Sequence, residues 1–242
     1  GKGYAVVLIS RDRFSMGCTF EQGSACNDDE VLHEVTLSRS YYMMKTEVTQ
    51  RLYENIMGEN TSKFRSCGKN CPIEQVSWYD AAVFANKLSS KEGLTKCYEI
   101  SAKNVKWKDK NCTGWRLPTE AEWEFAARGG ETYAYAGSDV SNQVSWYINN
   151  SGHKTHPVGQ KKANGFGLYD MSGNVHEWCW DWYGNYKKMK SRDPEGPSKG
   201  SYRVLRGGSW RYSPIDTRVS SRGKEKPSTT LSNLGFRLVR TK

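Results

Sequence analysis

The sequence predicts an α+β domain, with short helices in its first half and short strands joined by long ordered loops in its second. Three observations carry this reading. Helix signals occur three times before residue 130, the helical period then disappears, and 9 Trp, 14 Tyr and 23 Gly in 242 residues indicate a core of aromatics and closely packed backbone.

The first helix signal is "VTQRLYENIMG", with Leu52 and Ile56 four apart and Gly58 as its stop. In "SWYDAAVFANKLSS", Trp78, Ala82, Ala85 and Leu88 share one face behind Ser77 as N-cap. The third, "LPTEAEWEFAARGG", is the clearest: Thr119 and Glu122 form a capping box, and Gly129-Gly130 ends the helix. Beyond it come short runs such as "THPVGQ", "FGLYDM", "VLRGGSW" and "LGFRLVR", separated by Gly, Asn, Pro and Ser. Trp178, Trp180 and Trp182 alternate, so they share one face of an extended segment. No linker or repeat divides the chain, and residues 1–242 read as one domain.

The formal charge of +10 raises nucleic acid or an acidic partner as possibilities. The basic residues are dispersed, however, the densest run is "KKMKSR" at 187–192, and no nucleic-acid-binding motif accompanies them, so nucleic acid is not expected. No transmembrane segment is expected either, because no stretch approaches the roughly 18–20 apolar residues of a spanning helix. A soluble chain follows, with a removed signal or a lipid-modified cysteine upstream left open.

Seven cysteines stand at 18, 26, 67, 71, 97, 112 and 179 without the C-x-x-C spacing of a zinc site. The first six form neighbouring couples, which makes Cys18–Cys26, Cys67–Cys71 and Cys97–Cys112 the leading disulfides, although spacing alone leaves the connectivity open. Closing the 97–112 loop contributes about 3 kcal/mol in the loop-entropy picture. Disulfides place the chain in an oxidising compartment, while Cys179, among aromatics in "HEWCWDWYG", reads as an inert buried thiol. His153 and His156 lack a nearby carboxylate or thiol and read as surface residues, and His176 is expected to point to the opposite face from Glu177.

The segments "WRLPTEAEWEFAARGG" (115–130), "NGFGLYDMSGNVHEWCWDWYG" (164–184), "RVLRGGSW" (203–210) and "NLGFRLVR" (233–240) occur in the order of a known family. Together they resemble the formylglycine-generating enzyme (sulfatase-modifying factor) family. The resemblance implies a C-type lectin fold variant with little regular secondary structure, two main helices and a small antiparallel sheet. It also implies a Ca²⁺ site in which Asp170 and Glu177 supply side-chain oxygens and Gly173 and Val175 backbone carbonyls. Family enzymes oxidise a substrate cysteine with copper(I) held by two thiols, two and seven residues past the aromatic of the glycine-glycine-serine motif. Those positions here are Tyr212 and Thr217, and no cysteine follows Cys179, so neither copper nor this activity is expected.

A second branch of the fold family, the variable proteins of diversity-generating retroelements of Treponema type, fits better. That resemblance implies a diversified ligand-binding surface within about 203–240, on a protein displayed at the cell surface, with a protein or other macromolecule as ligand. Randomised asparagine codons of AAC or AAT type cannot yield Lys, Glu, Gln, Met or Trp, and none of these occurs from 211 to 223. The side chains suit a contact surface: Arg211, Tyr212, Ser213, Pro214, Ile215, Asp216 and Thr217 follow neither a period of 2 nor one of 3.6, and mix ring, charge and hydroxyl. Ser221, Gly223, Thr229 and Leu231 complete the candidate ligand-binding set, with Arg211, Arg218 and Arg222 favouring an acidic partner. This reading requires Tyr212 and Ile215 to be exposed over buried Trp210 and Phe236. A divergent oxidase acting on cysteine, or a purely structural loop, are the alternatives.

Overall fold

The structure, a computed structural model, describes residues 3–20, 22, 26–186 and 188–242. Three helices form where their caps direct. α1 (Gln50–Met57) starts at Thr49, whose hydroxyl accepts the Leu52 N–H, and α2 (Trp78–Lys91) starts at a Ser77–Asp80 capping box. α3 (Glu120–Arg128) has the expected Thr119–Glu122 box and stops at Gly129, which takes a left-handed φ of 62°. α1 is a separate element of 8 residues held by the Thr49 cap and the Gly58 stop, and a fourth, one-turn helix spans Ser141–Val144.

The architecture is α+β, and its sheets are small. The largest has four strands in the order Arg222–Glu225, Arg203–Arg206, His176–Trp182, Leu234–Gly235. Its last pair is parallel, so the sheet is mixed rather than purely antiparallel. A second sheet sets Tyr41–Met44 between Val6–Ile9 and Val239–Thr241. Alternation along the central strands divides the core. Trp178 and Leu205 pack with Trp78, Phe84, Trp115 and Phe236 under α1 and α2, while Cys179 and Val204 pack with Trp123, Phe125 and Met43 under α3. The three alternating tryptophans share a face: Trp180 stacks on Tyr98, and the Arg203 guanidinium lies between Trp78 (3.7 Å) and Trp182 (3.6 Å).

Cys18–Cys26, Cys67–Cys71 and Cys97–Cys112 are bonded as expected. Cys179 is a buried free thiol whose pKa burial pushes well up, leaving it unreactive. Lys187, at the head of the basic run, lies outside the described residues.

α3 departs from an amphipathic helix, since all nine residues are buried, charged ones included. Each charge has a partner: Glu122 with Arg116 (2.6 and 2.7 Å), Glu120 with Arg222 (2.7 and 2.9 Å), and Glu124 with Arg128 and Arg206. Arg206 is fully buried and also donates to the Ser221 and Val219 carbonyls. Removing one partner of such a pair strands the other charge, which costs about 3–5 kcal/mol. We expect Arg206→Met to destabilise the protein by about that amount, read as a lowered denaturant midpoint with unchanged m-value.

Candidate ligand-display surface

The strand Arg203–Arg206 is buried throughout and leads into Gly207 and Gly208. At Gly208, with φ at 68°, an added Cβ would lie 2.6 Å from the Asp216 carbonyl oxygen and 2.7 Å from Thr217 Cγ2. Glycine is required there because the loop folds back against its own entry. Ser209 is buried and accepts the Asn233 amide at 3.1 Å. The Trp210 indole donates to the Ser232 carbonyl (3.0 Å), its backbone N–H donates to Asn174 (2.9 Å), and Phe64 meets its ring edge-on. Trp210 and Phe236 are buried, as the display reading requires.

Past Trp210 the chain turns outward. Ser213 and Asp216 cap a single 3-10 turn, Pro214–Thr217, through Ser213 N–H and hydroxyl bonds to the Asp216 carboxylate at 3.2 and 2.9 Å. Its shortness accounts for the missing period. Tyr212 and Ile215 are 40% and 46% exposed, Arg211 is exposed, and Ser213, Pro214 and Asp216 are half-buried.

Other expected contact residues point elsewhere. Thr217 is fully buried, its hydroxyl bonded to the Pro214 carbonyl at 2.9 Å, and Ser221 is buried where its carbonyl accepts from Arg206. Both leave the contact surface, because the turn folds them inward. Gly223 is half-buried in a strand opposite Leu205, Leu231 packs on the core, and Thr229 donates to Glu225 at 3.3 Å.

One contributor carried no sequence signal. Ile148, 37% exposed, donates its backbone N–H to the Tyr212 carbonyl at 3.0 Å, which sets a distant loop beside Tyr212. The Tyr212 ring rests edge-on upon His176 at 4.9 Å. Burial pushes the His176 pKa down to about 4, and its Nδ1 faces the Arg206 carbonyl, so it is a neutral support. His176 and Glu177 point to opposite faces, as expected. His156 stacks on Trp146 at 3.8 Å and bonds to the Ser151 carbonyl, while His153 is exposed; among the described residues no group of three or more His, Cys, Asp or Glu is arranged to hold a metal.

The arginines expected to face a ligand divide. Arg218 is buried against Glu30 (2.7 and 2.8 Å) and Gln22 (3.0 Å). Arg222 holds Glu120 and packs on the Tyr186 ring at 3.8 Å. Both close the loop from within, and Arg211 alone of the three remains exposed, without an ion pair among the described residues.

The carboxylates of the implied Ca²⁺ site are buried. Glu177 is occupied: Arg237 donates to both its oxygens at 2.7–2.9 Å and the Trp123 indole adds a bond at 2.8 Å. Asp170 accepts the Gly159 N–H at 2.7 Å, but its other oxygen has no partner. Glu47, which sequence reasoning missed, brings two further buried oxygens without hydrogen-bond partners. Burial raises both acids, Asp170 to about 6, and the charge of Asp170 raises Glu47 further. Asp170 and Glu47 lie within hydrogen-bonding reach of each other, so a protonated carboxyl of one can bond to the other; a hard cation would take these same oxygens, with Glu177 as a strut, and Gly173 and Val175 lie between Asp170 and Glu177 on the same segment.

A family model, the sulfatase-modifying factor enzyme 1-like domain, matches residues 3–242. The chain belongs to this family. Within the sulfatase-modifying-factor family it is similar to Treponema denticola variable protein 1 in structure, with a TM-score of 0.90, 36% identity, and coverage of 99% of this chain and 95% of that one. It is 38% identical to the chaperone protein LppX of Paenibacillus barcinonensis over 98% of both chains. It is also 36% identical to the formylglycine-generating enzyme of Streptomyces coelicolor over 69% of this chain, a match that spans 52% of that enzyme.

The clamps make the loop sensitive to acid. Burial opposes ionisation of Glu30 and Glu120, but Arg218 with Ser220, and Arg222, outweigh it and hold both pKa values below the ordinary 4.5. Their contribution is therefore complete above pH 4.5 and is lost as the pH falls through the depressed values. Hydrogen-exchange protection of residues 211–223, corrected for intrinsic rates, is expected to hold from about pH 6 to pH 4.5 and to fall below it, and Arg218→Met to lower it already at about pH 6.

Proposed function

We propose that the protein is a non-enzymatic ligand-binding display protein working outside the cytoplasm. The exposed cluster of Arg211, Tyr212, Ile215 and Ile148 over a buried, heavily bonded scaffold carries this reading. Tyrosine and arginine are the residue types that dominate binding hot spots, and a rigid base lowers the entropy cost of presenting them. Tyr212 and Thr217 stand where the family resemblance implies copper-binding thiols, and a phenol and a buried hydroxyl are poor ligands for copper(I). Likeness to the variable protein supports diversification of the loop, with a protein or other macromolecule as ligand. Three disulfides support an oxidising, extracytoplasmic location. Among the described residues no helix is long and apolar enough to cross a membrane. The reading includes a structural Ca²⁺ bound by Asp170 and Glu47, with the carbonyls of Gly173 and Val175 as further donors.

Two results test this proposal. Sequences of the gene from many isolates should vary mainly at 211–216, with Gly208, Trp210, Thr217 and Arg218 unchanged; Tyr212→Ala and Ile215→Ala should alter stability by no more than about 0.5 kcal/mol. Uniform drift, or aldehyde formation on a cysteine peptide supplied with copper and oxygen, would overturn it. For the cation, Ca²⁺ at about 100 times its Kd should stabilise the wild type by about 2.7 kcal/mol in thermal unfolding, and Asp170→Asn should remove the response.

A further inference from the structure

A second candidate site involves none of the display residues. Four segments border an open groove of about 510 Å³ lined by the exposed Arg11, Arg39 and Lys242, with Ser38, Asn111 and Thr113 among its neutral groups and no acidic side chain. Its walls are fixed from the backbone. Ser40 accepts the Arg11 N–H on its hydroxyl and the Lys242 N–H on its carbonyl, both at 3.0 Å, while the Arg39 guanidinium donates to the Lys110 carbonyl at 2.7 Å. The Cys97–Cys112 disulfide anchors the fourth segment.

Arg11, Arg39 and Lys242 form no ion pair among the described residues, whereas the buried arginines all do so except Arg203, which lies between indoles. A neighbouring groove of about 250 Å³ shares Arg39 and Thr241 and adds the half-buried Trp107, whose ring carries the Arg116 guanidinium on one face at 4.7 Å and meets Trp180 edge-on at 5.4 Å. Its acids are already engaged: Glu122 by Arg116, Glu195 by Lys110, and Asp193 by the Ser38 N–H and hydroxyl. The two grooves together match the volume of small-ligand sites, about 300–1,000 Å³.

We propose that this double cleft binds a sulfated oligosaccharide, its sulfate groups held by Arg11, Arg39 and Lys242 and a sugar ring resting at Trp107. Guanidinium groups present paired donors that match an oxyanion, and an indole offers an apolar face to the C–H face of a sugar. Two adjoining grooves sharing one arginine suit linked rings better than a single phosphate headgroup. The site is independent of the display reading, since the failure of either leaves the other standing.

The test measures binding of a fluorescent heparin-derived hexasaccharide to the full chain at physiological salt, with its desulfated form and phosphatidylglycerol vesicles as comparison ligands. Desulfation should weaken binding at least tenfold, the R11S/R39S/K242S variant should lose at least tenfold in affinity with an unchanged thermal midpoint, and W107A, which also loses core packing against Trp180, should lose at least threefold when measured well below its own, lower midpoint. K87S/K199S/K226S, which removes the same charge from exposed positions outside both grooves, should lose less than twofold. Equal losses in the two triple variants, binding to vesicles alone, or no binding of the hexasaccharide would overturn the proposal.

Discussion

A helix with charged residues buried on every side requires opposite charges from the rest of the chain, and α3 obtains them from four directions. Arg116 enters from the preceding loop, Arg128 from the helix itself, Arg206 from the central sheet and Arg222 from the strand beyond the display loop. Taking the carboxylates from water is offset only while every pairing is complete, so the network ties segments distant in sequence to one register. Arg237 and Glu177 repeat the device across the central strand, where Trp123 of α3 supplies a fourth bond.

The loop owes its geometry to that network as much as to its own sequence. Arg206 lies at its entrance and reaches the carbonyls of Val219 and Ser221 at its exit, so both ends are held by one guanidinium. Gly208 lets the chain pass close to Asp216 and Thr217, and Arg218 locks the far side to Glu30. Tyr212 and Ile215, between these anchors, do not contribute to the core clusters. Side chains can therefore change at the tip with little consequence for folding, the property a binding surface on a constant scaffold needs.

Much of the scaffold was legible in advance because its determinants are local. Ser77 with Asp80 and Thr119 with Glu122 cap their helices within one turn, Gly129 ends α3, and three cysteine couples close short loops. The candidate site was legible only in outline. Trp210 below and Tyr212 with Ile215 above were expected, but Thr217 and Ser221 point inward, and Arg218 and Arg222 are structural. Nothing near these residues in sequence reveals the difference, since their partners Glu30 and Glu120 lie more than 100 positions away. Glu47 and Ile148 were invisible for the same reason.

The sequence by itself determined the helix caps and stops, the neighbouring spacing of six cysteines, the absence of thiols after Cys179 and the family to which the motifs point. These depend on residue identity and on neighbours a few positions apart. Only the tertiary structure decided which charges are spent inside and which remain exposed. A carboxylate or guanidinium has the same formal charge wherever it stands in the chain, and its role depends on burial and on the partner the fold brings to it.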